Sequence, residues 1–71
     1  MNTRRAQSTV DRFNEKHPIG TMVHYWPGVR EGEGQTGTTT HPALLLGGVT
    51  PVVWIEGALG CIALTHVKVP R

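Results

Sequence analysis

The stretch PVVWIEGALGCIALTHVKV, residues 51–69, decides the fold of this chain. Two segments rich in Val and Ile, residues 51–56 and 61–69, flank the four residues GALG. Branched aliphatic residues favour strands, and a short connection containing glycine is typical of a hairpin loop. The stretch therefore predicts two antiparallel strands.

The register of this hairpin follows from the alternation of its side chains. If Glu56 pairs with Cys61, then Ile55 lies opposite Ile62 and Trp54 lies opposite Ala63. One face is then wholly aliphatic, and its members are Val53, Ile55, Ile62 and Leu64. A slip of one residue would turn Glu56 into that face, so the pattern favours the Glu56–Cys61 register.

This register turns Trp54 away from the aliphatic face. Three covers are open for its ring: an N-terminal helix, another subunit or a ligand. A chain of 71 residues with one cysteine and no metal motif has few other sources of stability than self-association. We therefore expect a homo-oligomer, most simply a symmetric dimer, with Trp54 and Ala63 at or near the interface.

The rest of the chain predicts one helix and further short strands. Residues 5–16 carry an apolar stripe at helical spacing, Ala6, Val10 and Phe13, after a flexible N-terminus of residues 1–4. Residues 21–26 alternate as a strand, with Met22, His24 and Trp26 on one face and Thr21, Val23 and Tyr25 on the other. A long loop, 27–42, precedes a short apolar strand, 43–46.

These elements predict a fold that is mainly β with one short N-terminal α-helix. Short strands with Gly and Pro turns are typical of a small antiparallel barrel or a strongly bent sheet. The long loop after the first strand and the tight hairpin before the last resemble an SH3-like barrel. We expect a single domain over residues 1–71, with the barrel at 21–69.

The loop PGVREGEGQTGTTTHP, residues 27–42, is the candidate binding element. Its glycines let backbone N–H groups approach an anion, its threonines add hydroxyls, and Arg30 provides a planar guanidinium suited to phosphate. Aromatic residues stand just before it, where a base could stack. The candidate ligand-binding residues are Tyr25, Trp26, Gly28, Arg30, Glu31, Gly32, Thr38, Thr39, Thr40 and His66.

His66 also has a structural interpretation. By alternation it shares a face with Ile62 and Leu64, which predicts a buried or half-buried histidine that is hydrogen-bonded. A ligand contact is the alternative. A flexible, exposed strand connection is likewise the alternative interpretation of the 27–42 loop.

Catalytic and metal-binding patterns are missing from the sequence. The four histidines and Cys61 show no paired zinc-ligand spacing, and we expect neither a metal nor a cofactor. Cys61 and His66 lie on opposite faces of one predicted strand, about 16 Å apart, so they form no nucleophile–base pair. No paired carboxylates occur on a rigid element. We expect a protein that is not an enzyme.

The charge distribution argues against a duplex-binding surface. The formal charge is +2, but the basic residues concentrate at both ends, while residues 18–57 carry Arg30 against three glutamates. Nucleic-acid binding by the basic ends stays open as an alternative. No apolar run reaches the roughly 20 residues that span a bilayer. A single thiol without an export signal predicts a cytoplasmic protein.

Several motifs together resemble a group of small proteins from phages, prophages and actinobacterial genomes. The motifs are F-N at the end of the helix, an h-P-h-G-T turn, Y-W-x-G-x-R-E-G, T-P-V-V and I-A-L-T-H-V, within residues 10–69. The resemblance implies a phage origin and the cytoplasm of an infected bacterial host. Small phage proteins of this kind include oligomeric sponges that trap nucleotide signals of bacterial immunity. We therefore expect a non-catalytic, nucleotide-sequestering protein, or alternatively an adaptor or inhibitor that binds a host protein.

Overall fold

The computed structural model describes residues 3–70, and within them the chain forms one α-helix, six short strands and one 3-10 turn. The helix α1 comes first, and the 3-10 turn lies between the last two strands. The bounds are α1 Thr3–Lys16, β1 Met22–Tyr25, β2 Gln35–Thr38, β3 Leu44–Leu46, β4 Thr50–Trp54, β5 Cys61–Ala63, the 3-10 turn Leu64–His66 and β6 Val67–Lys68.

The helix α1 has the predicted apolar stripe and the predicted end. Val10 is buried, and Phe13 packs against the core. His17 donates the last helical hydrogen bond to the carbonyl of Phe13, and Pro18 then disfavours a further turn. The helix begins at Thr3, two residues earlier than predicted, so part of the expected flexible segment 1–4 is helical. Residues 1 and 2 of that segment lie outside the described residues.

The strands form two antiparallel sheets of three strands each, with the orders β2-β1-β6 and β3-β4-β5. The predicted mainly β fold with one N-terminal helix is confirmed. A bridge between Thr39, which directly follows β2, and Ile55, which directly follows β4, connects the two sheets. The last strand, β6, returns to pair with β1.

The register of the β4–β5 hairpin differs from the predicted one by two residues. Trp54 pairs with Cys61, and Val53 pairs with Ile62. The prediction that Trp54 lies opposite Ala63 was wrong, because Ala63 lies opposite Val52. Ile55 and Glu56 bond instead to the Thr38–Thr39 segment, which lengthens the hairpin loop to residues 55–60. Because a shift of two preserves the side-chain alternation, Trp54 and Ala63 still share the outer face.

Two other segments are more structured than the sequence indicated. The predicted 27–42 loop contains β2, which pairs with β1 and leaves a shorter loop of residues 26–34 between them. The predicted strand 61–69 is interrupted by the 3-10 turn Leu64–His66. This turn redirects the chain from the second sheet to the first, because β6 must reach β1.

The core lies between the inner faces of the two sheets and α1. Its buried residues come from every layer: Val10, Val23, Tyr25, Ala43, Val53, Ile55 and Ile62. The predicted inward positions of the first strand, Val23 and Tyr25, are thereby confirmed. Each sheet keeps one outer face, and these two faces differ in chemistry.

Candidate functional site

The outer face of the β2-β1-β6 sheet is polar and cationic where β1 pairs with β6. His24 of β1 pairs in register with Lys68 of β6, so both side chains stand side by side on this face. By the alternation of side chains, Trp26 lies on the same face as His24. It directly follows β1 and begins the 26–34 loop. The loop then folds back over Trp26.

Trp26 is held in place by three kinds of contact. Its backbone N–H donates to the carbonyl of His66 at 3.0 Å, and its own carbonyl accepts from His66 Nδ1 at 3.1 Å. Its ring Nε1 donates to the carbonyl of Glu31 at 3.0 Å. Only 7% of Trp26 is exposed. The indole is therefore a fixed platform and not a mobile surface residue.

Arg30 lies on this platform. Its guanidinium carbon is 4.5 Å from the centroid of the Trp26 ring, within the range of a cation–π contact. Its Nη1 donates to the carbonyl of Thr65 at 2.8 Å. A guanidinium has five N–H donors, so the donors that do not face Thr65 can serve a ligand. Arg30 is an exposed residue, but the Trp26 ring and the Thr65 carbonyl together hold its guanidinium in one orientation.

Gly34 permits the close approach of the loop to the platform. A Cβ at this position would lie 2.7 Å from Trp26 Cε2 and 2.7 Å from the carbonyl oxygen of Tyr25, and φ is +74°. Both the contact and the backbone conformation require glycine. The sequence shows a glycine-rich loop but not which glycine touches the indole.

The loop and the sheet face enclose an open cavity of about 540 Å³, here called the Trp26 pocket. This volume is in the range of small-molecule sites. Arg30 and Lys68 supply positive charge, His24 supplies an imidazole, and Glu33 supplies a carboxylate. The lining residues are His24, Trp26, Arg30, Gly32, Glu33 and Lys68.

The structure brings together five of the residues predicted from the sequence. Trp26, Arg30 and Gly32 line the pocket, and the Glu31 carbonyl and His66 hold Trp26 in position. His66 is half-buried and hydrogen-bonded through Nδ1, so the structural interpretation of this residue is confirmed. Its role is to support Trp26 and not to line the cavity.

The remaining predicted residues lie elsewhere. Tyr25 is buried in the core, and its hydroxyl donates to Gln35, so it offers no ring face to a ligand. Gly28 is exposed in the loop outside the lining of the pocket. The three threonines lie at the end of β2 and directly after it: Thr38 contacts Glu56, Thr39 is buried against Pro18 and Gly20, and Thr40 contacts His41.

Three lining residues were missed by the sequence interpretation: His24, Glu33 and Lys68. Alternation had placed His24 on the face of Trp26, which was the available signal for it. No sequence feature near Lys68 indicates that it lies beside the 26–34 loop, because only the pairing of β6 with β1 places it next to His24.

Trp54 and Ala63, the predicted interface residues, are half-buried on the outer face of the other sheet. Cys61 is half-buried on the same face, as a free thiol. In residues 3–70, no three His, Cys, Asp or Glu side chains form a group able to hold a metal ion. Within the same residues, no helix has the length and hydropathy needed to cross a bilayer.

Comparison of the chain with protein-family models, with curated proteins and with solved structures returns no match. The interpretation of the Trp26 pocket therefore depends on its own geometry.

Proposed function

We propose that this chain is a small non-catalytic binding protein that sequesters a nucleotide-derived anion in the Trp26 pocket. The observation that carries the proposal is the orientation of Arg30, held between the Trp26 ring and the Thr65 carbonyl. A guanidinium that is already oriented loses less conformational entropy when it binds a phosphate than the guanidinium of a freely rotating side chain does.

The pocket supports both parts of a nucleotide. The outer plane of the Arg30 guanidinium is a stacking surface for a base, as in other sites where bases lie on arginine. The Arg30 and Lys68 cations favour phosphate groups. The Glu33 carboxylate accepts hydrogen bonds from ribose hydroxyls or from base N–H groups. A mixed site of this kind favours a nucleotide over inorganic phosphate.

The biological setting of the proposal comes from the resemblance to small phage and actinobacterial proteins. In that setting the protein acts in the cytoplasm of an infected bacterial host, and it removes a nucleotide signal of immunity by binding it. Cyclic dinucleotides and ADP-ribose derivatives are the ligand classes to test first.

Thermal denaturation in the presence of these nucleotides and of inorganic phosphate tests the proposal. A ligand at 100 times its Kd adds about 2.7 kcal/mol, which raises the Tm of a domain this small by roughly 10 °C or more. Arg30→Ala should abolish the shift. Arg12→Ala removes the same charge from an exposed helical position and should retain it.

Chromatography of the ligand recovered after incubation distinguishes sequestration from catalysis, because a protein that only binds the ligand leaves it chemically unchanged. If no nucleotide of the panel stabilises the folded protein, or if Arg30→Ala binds as well as the wild type, the proposal is wrong.

Nucleic-acid binding is a second candidate, because one observation favours it. An open groove of about 470 Å³ on α1 is lined, among the described residues, by arginines and hydroxyl residues: Arg4, Arg5, Ser8, Thr9 and Arg12. If these three arginines contact duplex phosphates, the logarithm of the affinity should fall with the logarithm of the salt concentration with a slope of about −3. A salt-independent affinity, or one unchanged in Arg4→Gln/Arg12→Gln, would exclude this groove.

A further inference from the structure

Glu33 lines the Trp26 pocket, and the loop around it is attached to the indole on both sides. Two residues before it, the carbonyl of Glu31 accepts a hydrogen bond from Trp26 Nε1 at 3.0 Å. Directly after it, Gly34 packs so closely on the same ring that a Cβ does not fit. The backbone of Glu33 is therefore held in place, although its side chain is exposed. Its carboxylate belongs to the wall of the pocket that also carries the cations.

The paired strands β1 and β6 contribute a second part of the lining. His24 and Lys68 are partners in the register, which places their Cβ atoms about 5 Å apart. Among the described residues, neither side chain has a hydrogen-bond or ion-pair partner. The imidazole can donate an N–H, and the ammonium group has three N–H donors. These donors are therefore available to an anion in the pocket.

The charges of the lining limit the charge of the ligand that the pocket can neutralise. Arg30 and Lys68 provide two positive charges, and Glu33 offsets one of them. The lining thus carries a net charge of +1 when His24 is neutral and +2 when it is protonated. A phosphomonoester carries about two negative charges near neutral pH. Each further phosphate of a nucleoside diphosphate or triphosphate adds about one more, which the lining does not balance.

The pocket is small enough for its charges to act on one another. A cavity of about 540 Å³ is only about 8 Å across if it is compact, which is no more than the Debye length at physiological salt. Every phosphate inside it is therefore close enough to the Glu33 carboxylate for their repulsion to be screened only in part. This repulsion increases with each phosphate that the ligand carries.

We propose that the Trp26 pocket selects nucleotides of low charge, namely monophosphates and phosphodiesters, and that the Glu33 carboxylate excludes nucleoside triphosphates. This selectivity rests on the proposed function, since it concerns the ligand of the same pocket. A phosphodiester carries a single charge, so cyclic dinucleotides and ADP-ribose derivatives remain within the limit. A protein that removes a nucleotide signal must leave the abundant triphosphates of the cell unbound, and an unpaired like charge is a direct means of doing so.

Calorimetry with AMP and ATP, and with GMP and GTP, tests the selectivity. The buffer contains no Mg²⁺, because a bound cation would offset the charge of the triphosphate. The wild type should bind each monophosphate at least roughly tenfold more tightly than the triphosphate of the same base, since unit charges a few Å apart at a protein surface interact by this order. Lys68→Gln should weaken the binding of the monophosphates, because it removes a cation of the lining.

Glu33→Gln removes the negative charge and keeps the size of the side chain and a hydrogen-bond acceptor. Because Glu33 is exposed, the variant should fold like the wild type, as circular dichroism can verify. Its affinity for the triphosphates should rise roughly three- to tenfold, and the gain should shrink at high salt. Glu15→Gln makes the same change at an exposed position of α1 and should bind the triphosphates as weakly as the wild type.

A wild type that binds triphosphates as tightly as monophosphates would overturn the selectivity and leave the proposed function intact. A Glu33→Gln variant without any gain in triphosphate affinity would do the same. This second criterion also decides the case of a wild type that binds cyclic dinucleotides or ADP-ribose derivatives but no mononucleotide. If the wild type binds none of these nucleotides, the proposed function and the selectivity are both wrong.

Discussion

Asn14 and Ala43, 29 residues apart, are joined by two hydrogen bonds between one side chain and one peptide unit. The Nδ2 of Asn14 donates to the Ala43 carbonyl at 3.0 Å, and the Ala43 N–H donates to Asn14 Oδ1 at 2.7 Å. The side-chain amide of Asn14 thus makes the two hydrogen bonds to Ala43 that the backbone of a neighbouring strand would otherwise make. It attaches α1 to the chain directly before β3 begins.

Replacement of Asn14 by Ala should destabilise the fold. Ala43 is only 4% exposed, so its N–H and carbonyl would lose their partners in a place that water reaches poorly. A buried polar group without a partner costs about 1–3 kcal/mol, which for a domain this small lowers the Tm by several degrees or more. Thermal denaturation followed by circular dichroism measures the change. Gln7→Ala, which removes an exposed amide from the same helix, is the control and should stay close to the wild type.

Gly34→Ala should disturb the Trp26 pocket and the stability together. The added Cβ would meet the Trp26 ring and the Tyr25 carbonyl at 2.7 Å, in a backbone conformation that alanine rarely adopts. We expect a loss of about 1–3 kcal/mol in the free energy of unfolding, with altered Trp fluorescence. At Gly28 of the same loop, a Cβ would meet no atom within 4 Å and φ is not positive. A Gly28→Ala variant as unstable as Gly34→Ala would show that the contact with Trp26 is not the cause.

Arg30→Lys should weaken ligand binding while leaving the fold nearly unchanged. The substitution keeps the positive charge but removes the planar fork that stacks on Trp26 and bonds to Thr65. Because Arg30 is exposed, the loss of stability should be about 1 kcal/mol or less. For a nucleotide identified by thermal denaturation, calorimetry should give at least a roughly tenfold higher Kd, equivalent to about 1.4 kcal/mol. Equal affinities for the two proteins would mean that Arg30 acts only as a point charge.

Val53→Ala tests the core between the sheets. Val53 is completely buried, and its truncation removes two methyl groups and leaves a cavity. At about 0.8 kcal/mol for each buried carbon, with a further cost for the cavity, the free energy of unfolding should fall by about 2–3 kcal/mol. Val29→Ala is the matched control, since Val29 is 77% exposed. Denaturant titration of both variants should show the difference, and equal midpoints would contradict the assignment of Val53 to the core.

The sequence alone was sufficient for the features that depend on periodicity. The inward positions of Val23 and Tyr25, the common inner face of Val53 and Ile62, and the outward direction of Trp54 all follow from an alternation of two residues. The end of the helix before Pro18 follows from the restricted backbone of the residue that precedes proline. Each of these features depends on neighbours within a few positions of the chain.

The tertiary structure decided the features that depend on distant partners. A period of two cannot distinguish registers that differ by two residues. In the structure Ile55 pairs with Thr39 and not with the next strand of the hairpin, which leaves Trp54 opposite Cys61. The Trp26 pocket is a further case: His66 supports Trp26 from 40 residues away, and Lys68 arrives beside His24 on the closing strand. Residue spacing does not encode these contacts, because the pairing of β6 with β1 is what brings residues 66–68 beside residues 24–26.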